Sequence, residues 1–92
     1  MRRDVLKLLE DVRVAATSIQ DYTQGLTEAG YLAGKPIRRA VELEFEIIGF
    51  RNILAHGYDA VVDERVWNTV AADIPVLLAA VRALIEEERQ LP

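Results

Sequence analysis

The chain has 92 residues, enough for a single small domain over 1–92 with one modest core, and its 51 % apolar content is too high for a disordered segment. Fifteen acids against eleven bases give a net charge of −4, which argues against a broad basic face that coats nucleic acid but leaves room for a local phosphate site. With no cysteine and one histidine, disulfides, thiolate metal centres and an imidazole-built zinc site within one chain are excluded.

The N-terminus, Met1-Arg2-Arg3-Asp4, leads into a charged amphipathic pattern and lacks the apolar core and cleavage site of a signal peptide. A first helix is expected over about 4–23. Val5, Leu8, Leu9, Val12, Ala15, Ala16 and Ile19 recur at i, i+3, i+4, i+7 as one apolar stripe, with Lys7, Glu10, Asp11, Arg13 and Gln20 mostly off it. Gly25 stops this helix, and 30–34 reads as a loose connection. Pro36 suits the first turn of a second helix, where its missing N–H costs nothing. Lys35, Arg38 and Arg39 form a local basic excess there, read as solvated bases at a helix start. Ile37, Ala40, Val41, Leu43, Phe45, Ile47 and Ile48 follow, with Glu42, Glu44 and Glu46 between them. The alternation over 43–48 would also suit a strand, but the length of the pattern, its glutamates and the absence of turn signals favour helix. Gly49 weakens or bends it.

A last helix is expected to open at Asp63 as N-cap, with Glu64 offsetting the helix dipole. It carries Trp67, Val70, Ile74, Leu77, Val81 and Leu84, widened by Leu78 and Ile85. Pro75 inside this pattern kinks the helix or restarts it with Asp73 as a cap, and 86–90 reads as a fraying polar tail. No apolar run approaches the roughly 20 residues that span a bilayer. These readings give an all-α protein, a small antiparallel helical bundle, soluble and cytoplasmic. Its apolar stripes are wide for so short a chain, so part of that surface is expected to be buried in a two-fold homodimer.

Between the second and last helices, residues 50–58 read Phe-Arg-Asn-Ile-Leu-Ala-His-Gly-Tyr. Arg51 and His56 are five residues apart, about 140° around an ideal helix. They share a direction only if the helix ends at His56, and Gly57 suits a left-handed cap there. His56 then sits near helix-end carbonyls that favour imidazolium, with Tyr58 beyond the cap. Such a set can run metal-free phosphodiester cleavage. Arg51 offers a planar fork to a phosphate, and His56 takes a proton from a ribose 2′-hydroxyl or gives one to a leaving oxygen. One histidine does not easily do both, whereas a dimer supplies two. Asn52 orients the histidine, contacts substrate, or is an idle surface amide. The plainer reading stands beside this one: a lone Arg or His is more often structural or solvated, Tyr58 a loop aromatic, and Trp67 a core residue rather than a base-stacking platform.

Arg51, His56 and Tyr58 match the R-x-x-x-x-H-x-Y signature of the HepT-like toxins of the HEPN superfamily, which this chain resembles. The surroundings are similar too: the apolar run ending at Gly49, Arg51-Asn52 opening the motif, then Val66-Trp67 and Asp73-Ile74-Pro75. Family members usually carry a longer stretch between the apolar helix and the motif; here Ile47-Ile48-Gly49 runs directly into Phe50-Arg51. The resemblance implies a HEPN-like helical dimer and a metal-independent endoribonuclease with Arg51 and His56 as its catalytic pair and no cofactor. It also implies a type VII-like toxin–antitoxin pair, in which a minimal nucleotidyltransferase antitoxin transfers AMP onto Tyr58. AMP there would add bulk and negative charge beside Arg51 and compete with RNA phosphate. The alternative is a non-catalytic helical module that binds a nucleotidyltransferase partner.

Overall fold

The computed structural model describes residues 2–49 and 60–91. All elements among them are helical: α1 (Arg2–Thr23), α2 (Glu28–Ala33), α3 (Lys35–Ile48), α4 (Ala60–Asn68), one turn of π-helix (Thr69–Asp73) and α5 (Ile74–Gln90). The protein is an all-α bundle, as expected. α1 is the central pillar, packing on α3 along one side and α5 along another. α5 runs antiparallel to it, since Arg89 near the end of α5 meets Glu10 early in α1 at 2.9 Å.

The core draws on every helix. Ala16 and Ile19 of α1, Tyr31 of α2, Val41 and Phe45 of α3, Val66 and Val70, and Ile74 and Leu78 of α5 form one buried cluster. Trp67 is half-buried against it, tilted on the Tyr31 ring with centroids 5.3 Å apart, so the core reading of Trp67 holds. α3 settles the helix–strand ambiguity of 43–48. Val41 and Phe45 are buried and Ile37 and Ile48 pack beside them at helical spacing, while Leu43 and Ile47 turn outward, 63 % and 55 % exposed.

Several expectations change. Residues 30–34 are not a loose connection, because α2 occupies most of that stretch. Thr27 is its N-cap, its Oγ1 accepting from the Gly30 N–H at 3.1 Å, and Tyr31 is wholly buried. The α1 stripe is buried only in its second half: Ala15, Ala16 and Ile19 are enclosed, whereas Val5 and Leu8 are exposed because the bundle is too thin to cover them. Asp63 is not an N-cap, since α4 begins at Ala60 and Asp63 lies in its first turn.

Pro75 does not interrupt the helix, whose backbone stays helical through Asp73 and Ile74. Pro75 has no N–H for the carbonyl of Ala71, and its ring would crowd that carbonyl. The preceding turn therefore widens by one residue, and the Ile74 N–H donates to the Thr69 carbonyl five residues back. Asp73 makes no side-chain cap. The extra residue advances the buried stripe, which runs Val66, Val70, Ile74, Leu78, Val81, Ile85 and leaves Leu84, expected inside, 47 % exposed. Residues 86–90 do not fray; α5 is helical through Gln90, tied by the Arg89–Glu10 pair. Over Asp63–Gln90 this unbroken helix is long and apolar enough to cross a membrane by length and composition, with a window of mean hydropathy 1.6. That overturns the expectation that no run approaches such a length. Its buried stripe packs on α1, the pattern that a core helix of a small bundle also shows.

Candidate functional site

α3 stops just before the motif. Gly49 takes a left-handed conformation (φ +96°), and its N–H donates to the Phe45 and Glu46 carbonyls at 3.0 and 3.2 Å. Only glycine adopts that backbone without strain, which makes it a helix terminator. The second helix therefore ends here instead of bending on into the motif. Arg51, Asn52, His56, the Gly57 cap and Tyr58 lie outside the described residues. What the structure fixes is the frame on either side: α3 delivers the chain at Gly49, and α4 takes it up at Ala60.

The first turn of α4 is anchored against the front of α3. Asp63 Oδ2 lies 3.5 Å from Arg38 Nε, both side chains about one-fifth exposed. Arg38 also donates through Nη1 to the Leu32 carbonyl of α2, so one guanidinium joins α2, α3 and α4. Arg38 is eleven residues before Gly49, on the order of 16 Å along the helix axis. The two ends of the motif segment are thus set at opposite parts of α3.

Along the face of α3 between those ends runs a cleft. Lys35, Arg38, Arg39, Glu42 and Asp63 line a space of about 370 Å³. A second space of about 290 Å³, lined by Arg39, Glu42, Leu43 and Glu46, continues it toward Gly49. Burial pushes the Glu42 carboxyl above the usual glutamate range; Arg39 opposes this and Asp63 adds to it. Behind the wall lies the Tyr31 hydroxyl, fully buried and without a hydrogen-bond partner among the described residues. Burial first, then Asp63 and Glu42, push that phenol well above its ordinary range, with Arg38 pulling the other way.

This cleft was only partly legible in the sequence. Lys35, Arg38 and Arg39 stood out as a basic cluster, but Asp63 was assigned to a cap and Tyr31 to a loop. The usable signal was the charged stripe 35, 38, 39, 42 at helical spacing. Among the described residues, no group of three His, Cys, Asp or Glu side chains is placed to hold a metal ion.

No curated protein and no solved structure matches the chain. Residues 45–84 match the family model described as Ribonuclease HepT-like. That match runs from Phe45 in α3 through the motif segment and into α5, so the stretch that holds Arg51, Asn52, His56 and Tyr58 is similar to that family, the one its motif resembles.

Proposed function

We propose that this chain is a metal-independent HEPN endoribonuclease, the toxin of a type VII-like toxin–antitoxin pair, acting in the cytoplasm as a two-fold homodimer. The supporting observation is the match of residues 45–84 to a ribonuclease family, across the segment that contains the chain's one histidine. His56 of one copy takes the proton from a ribose 2′-hydroxyl, whose oxygen attacks the adjacent phosphorus. The bond to the 5′-oxygen breaks, and that oxygen takes a proton from the second copy's His56. The products are a 2′,3′-cyclic phosphate and a 5′-hydroxyl. Arg51 offsets the charge that gathers on the phosphoryl oxygens, and Asn52 supports the histidine or the substrate. No cofactor takes part, because the nucleophile belongs to the RNA. A nucleotidyltransferase antitoxin silences the site by placing AMP on Tyr58, where its phosphate competes for Arg51.

The test is cleavage of a single-stranded RNA by the purified chain. His56→Ala is expected to lower the rate by roughly 10²–10⁴-fold, the span typical of a lost acid–base group, and Arg51→Ala by roughly 10²–10³-fold, that of a lost charge-stabilising donor. Cleavage that survives both substitutions would remove the catalytic assignment and leave a partner-binding module. For Tyr58, incubation with the nucleotidyltransferase and ATP should add AMP by intact mass, and Tyr58→Phe should abolish the addition.

A further inference from the structure

We infer that Lys35 and Arg39 hold a backbone phosphate of the RNA in the cleft along α3, a binding subsite beside the catalytic segment. The inference rests on the ribonuclease reading above and extends it to residues outside the motif. Lys35, Arg38, Arg39 and Glu42 share one face of α3 and, with Asp63 of α4, line the larger space. Arg39 and Glu42 also wall the second space, so the groove continues toward the point where α3 hands the chain to the motif.

The placement of these charges is unfavourable for the helix alone. The first turn of α3 contains no acid, and Lys35, Arg38 and Arg39 crowd the end where the backbone dipole is positive. A cation there is disfavoured by the dipole as an anion would be favoured. A bound phosphate reverses the sign of that interaction. Arg38 pairs with Asp63 and donates to the Leu32 carbonyl, and Arg39 interacts with Glu42. Lys35 and Arg39 are exposed and stand one turn apart, with Cβ atoms about 5–6 Å from each other, a spacing from which both reach one phosphate.

Glu42 and Asp63 set the strength of the site. Asp63 offsets Arg38, and Glu42 sits beside Arg39. The remaining positive excess is small, which suits one phosphate tethered within a polymer better than a free phosphate ion. The position suits it as well. Asp63 follows Tyr58 by only five residues in the sequence, and Gly49 at the far end of α3 precedes Arg51 by two, so the cleft lies between the described ends of the motif segment.

The experiment uses the full chain carrying His56→Ala, so that RNA is bound and not cut. Fluorescence anisotropy with a labelled single-stranded RNA is read over a series of salt concentrations for this parent and for added Lys35→Gln, Arg39→Gln and the pair. Each lost phosphate contact reduces the slope of log K against log salt by about 0.7, so the pair is expected to weaken binding and flatten the slope by about 0.7. Lys35→Glu with Arg39→Glu should weaken it further, and circular dichroism should show all variants folded, since both side chains are exposed. An unchanged slope in the pair, or no RNA binding by the parent, overturns the subsite. Cleavage by the chain with native His56 is scored separately: if it depends on Arg51 and His56 while the slope does not move, the ribonuclease reading stands and the subsite falls.

Discussion

Tyr31→Phe isolates one oxygen atom. The Tyr31 side chain is wholly buried, its hydroxyl has no partner among the described residues, and its ring packs on Trp67 at 5.3 Å. A hydroxyl moved from water into the interior without a hydrogen bond costs about 1–3 kcal/mol. Phenylalanine keeps the ring, the Trp67 contact and the core volume, and removes only the polar atom. The substitution is therefore expected to stabilise the fold by about 1 kcal/mol, the low end of that range, because the core relaxes slightly around the lost oxygen. For a domain of this size, that corresponds to a rise in Tm of about 4–8 °C. Thermal unfolding followed by circular dichroism at neutral pH measures it. The phenol adds a pH signature. Its folded pKa is raised, so its contribution is present below the ordinary tyrosine value near ~10 and is lost as pH climbs above it. The advantage of Tyr31→Phe should therefore widen in alkali. A lower Tm for the variant would refute the reasoning, because it would mean the hydroxyl makes a bond worth more than its burial costs.

Three other substitutions probe the frame around the motif. Arg38→Ala should cost about 1–2 kcal/mol, between the values for exposed and buried pairs, and a double-mutant cycle with Asp63→Ala by urea unfolding should show coupling; additivity within about 0.3 kcal/mol would mean the pair does not anchor α4. Glu42→Gln should raise Tm at pH 7 and lose that advantage below the ordinary glutamate range. The folded carboxyl is raised chiefly by burial, so its stabilising contribution exists at low pH and disappears as the group ionises; a difference independent of pH would contradict this. Phe45→Ala, which empties a wholly buried position between α1 and α3, should cost about 3–5 kcal/mol and lower the denaturant midpoint sharply; a loss under 1 kcal/mol would show that the position collapses freely.

The helices were legible wherever local chemistry and packing agree. α1 ends where its pattern ends, at Thr23, whose hydroxyl donates back to the Ile19 carbonyl at 2.7 Å, and Gly25 follows at φ +76°. α3 was legible because Ile37, Val41 and Phe45 keep helical spacing through the misleading alternation with glutamate. α2 was missed because six residues carry too little periodicity, although Thr27 followed by Glu28 was a usable capping signal. The buried stripe of α5, Ile74, Leu78, Val81 and Ile85, was legible, and only Leu84 was placed inside wrongly, because a single periodic template cannot foresee the residue that Pro75 adds to the preceding turn. The outward turn of Leu8, Leu43 and Ile47 is a tertiary fact: nothing in their spacing reveals that a thin bundle runs out of partners for them. Arg51, His56 and Tyr58 stand out in the sequence by residue type alone and lie outside the described residues. The cleft along α3 was not legible, because it depends on Asp63 of one helix meeting Arg38 of another across 25 residues of chain.

The central claim is that Arg51 and His56 cut RNA through its own 2′-hydroxyl. The direct measurement is the chemistry of the new ends: a defined RNA is incubated with the purified chain in excess EDTA, and the products are separated by mass spectrometry. The account predicts 2′,3′-cyclic phosphate and 5′-hydroxyl ends, formed without free metal and absent with His56→Ala. Products ending in 3′-hydroxyl and 5′-phosphate, or cyclic ends that persist with His56→Ala, would contradict it.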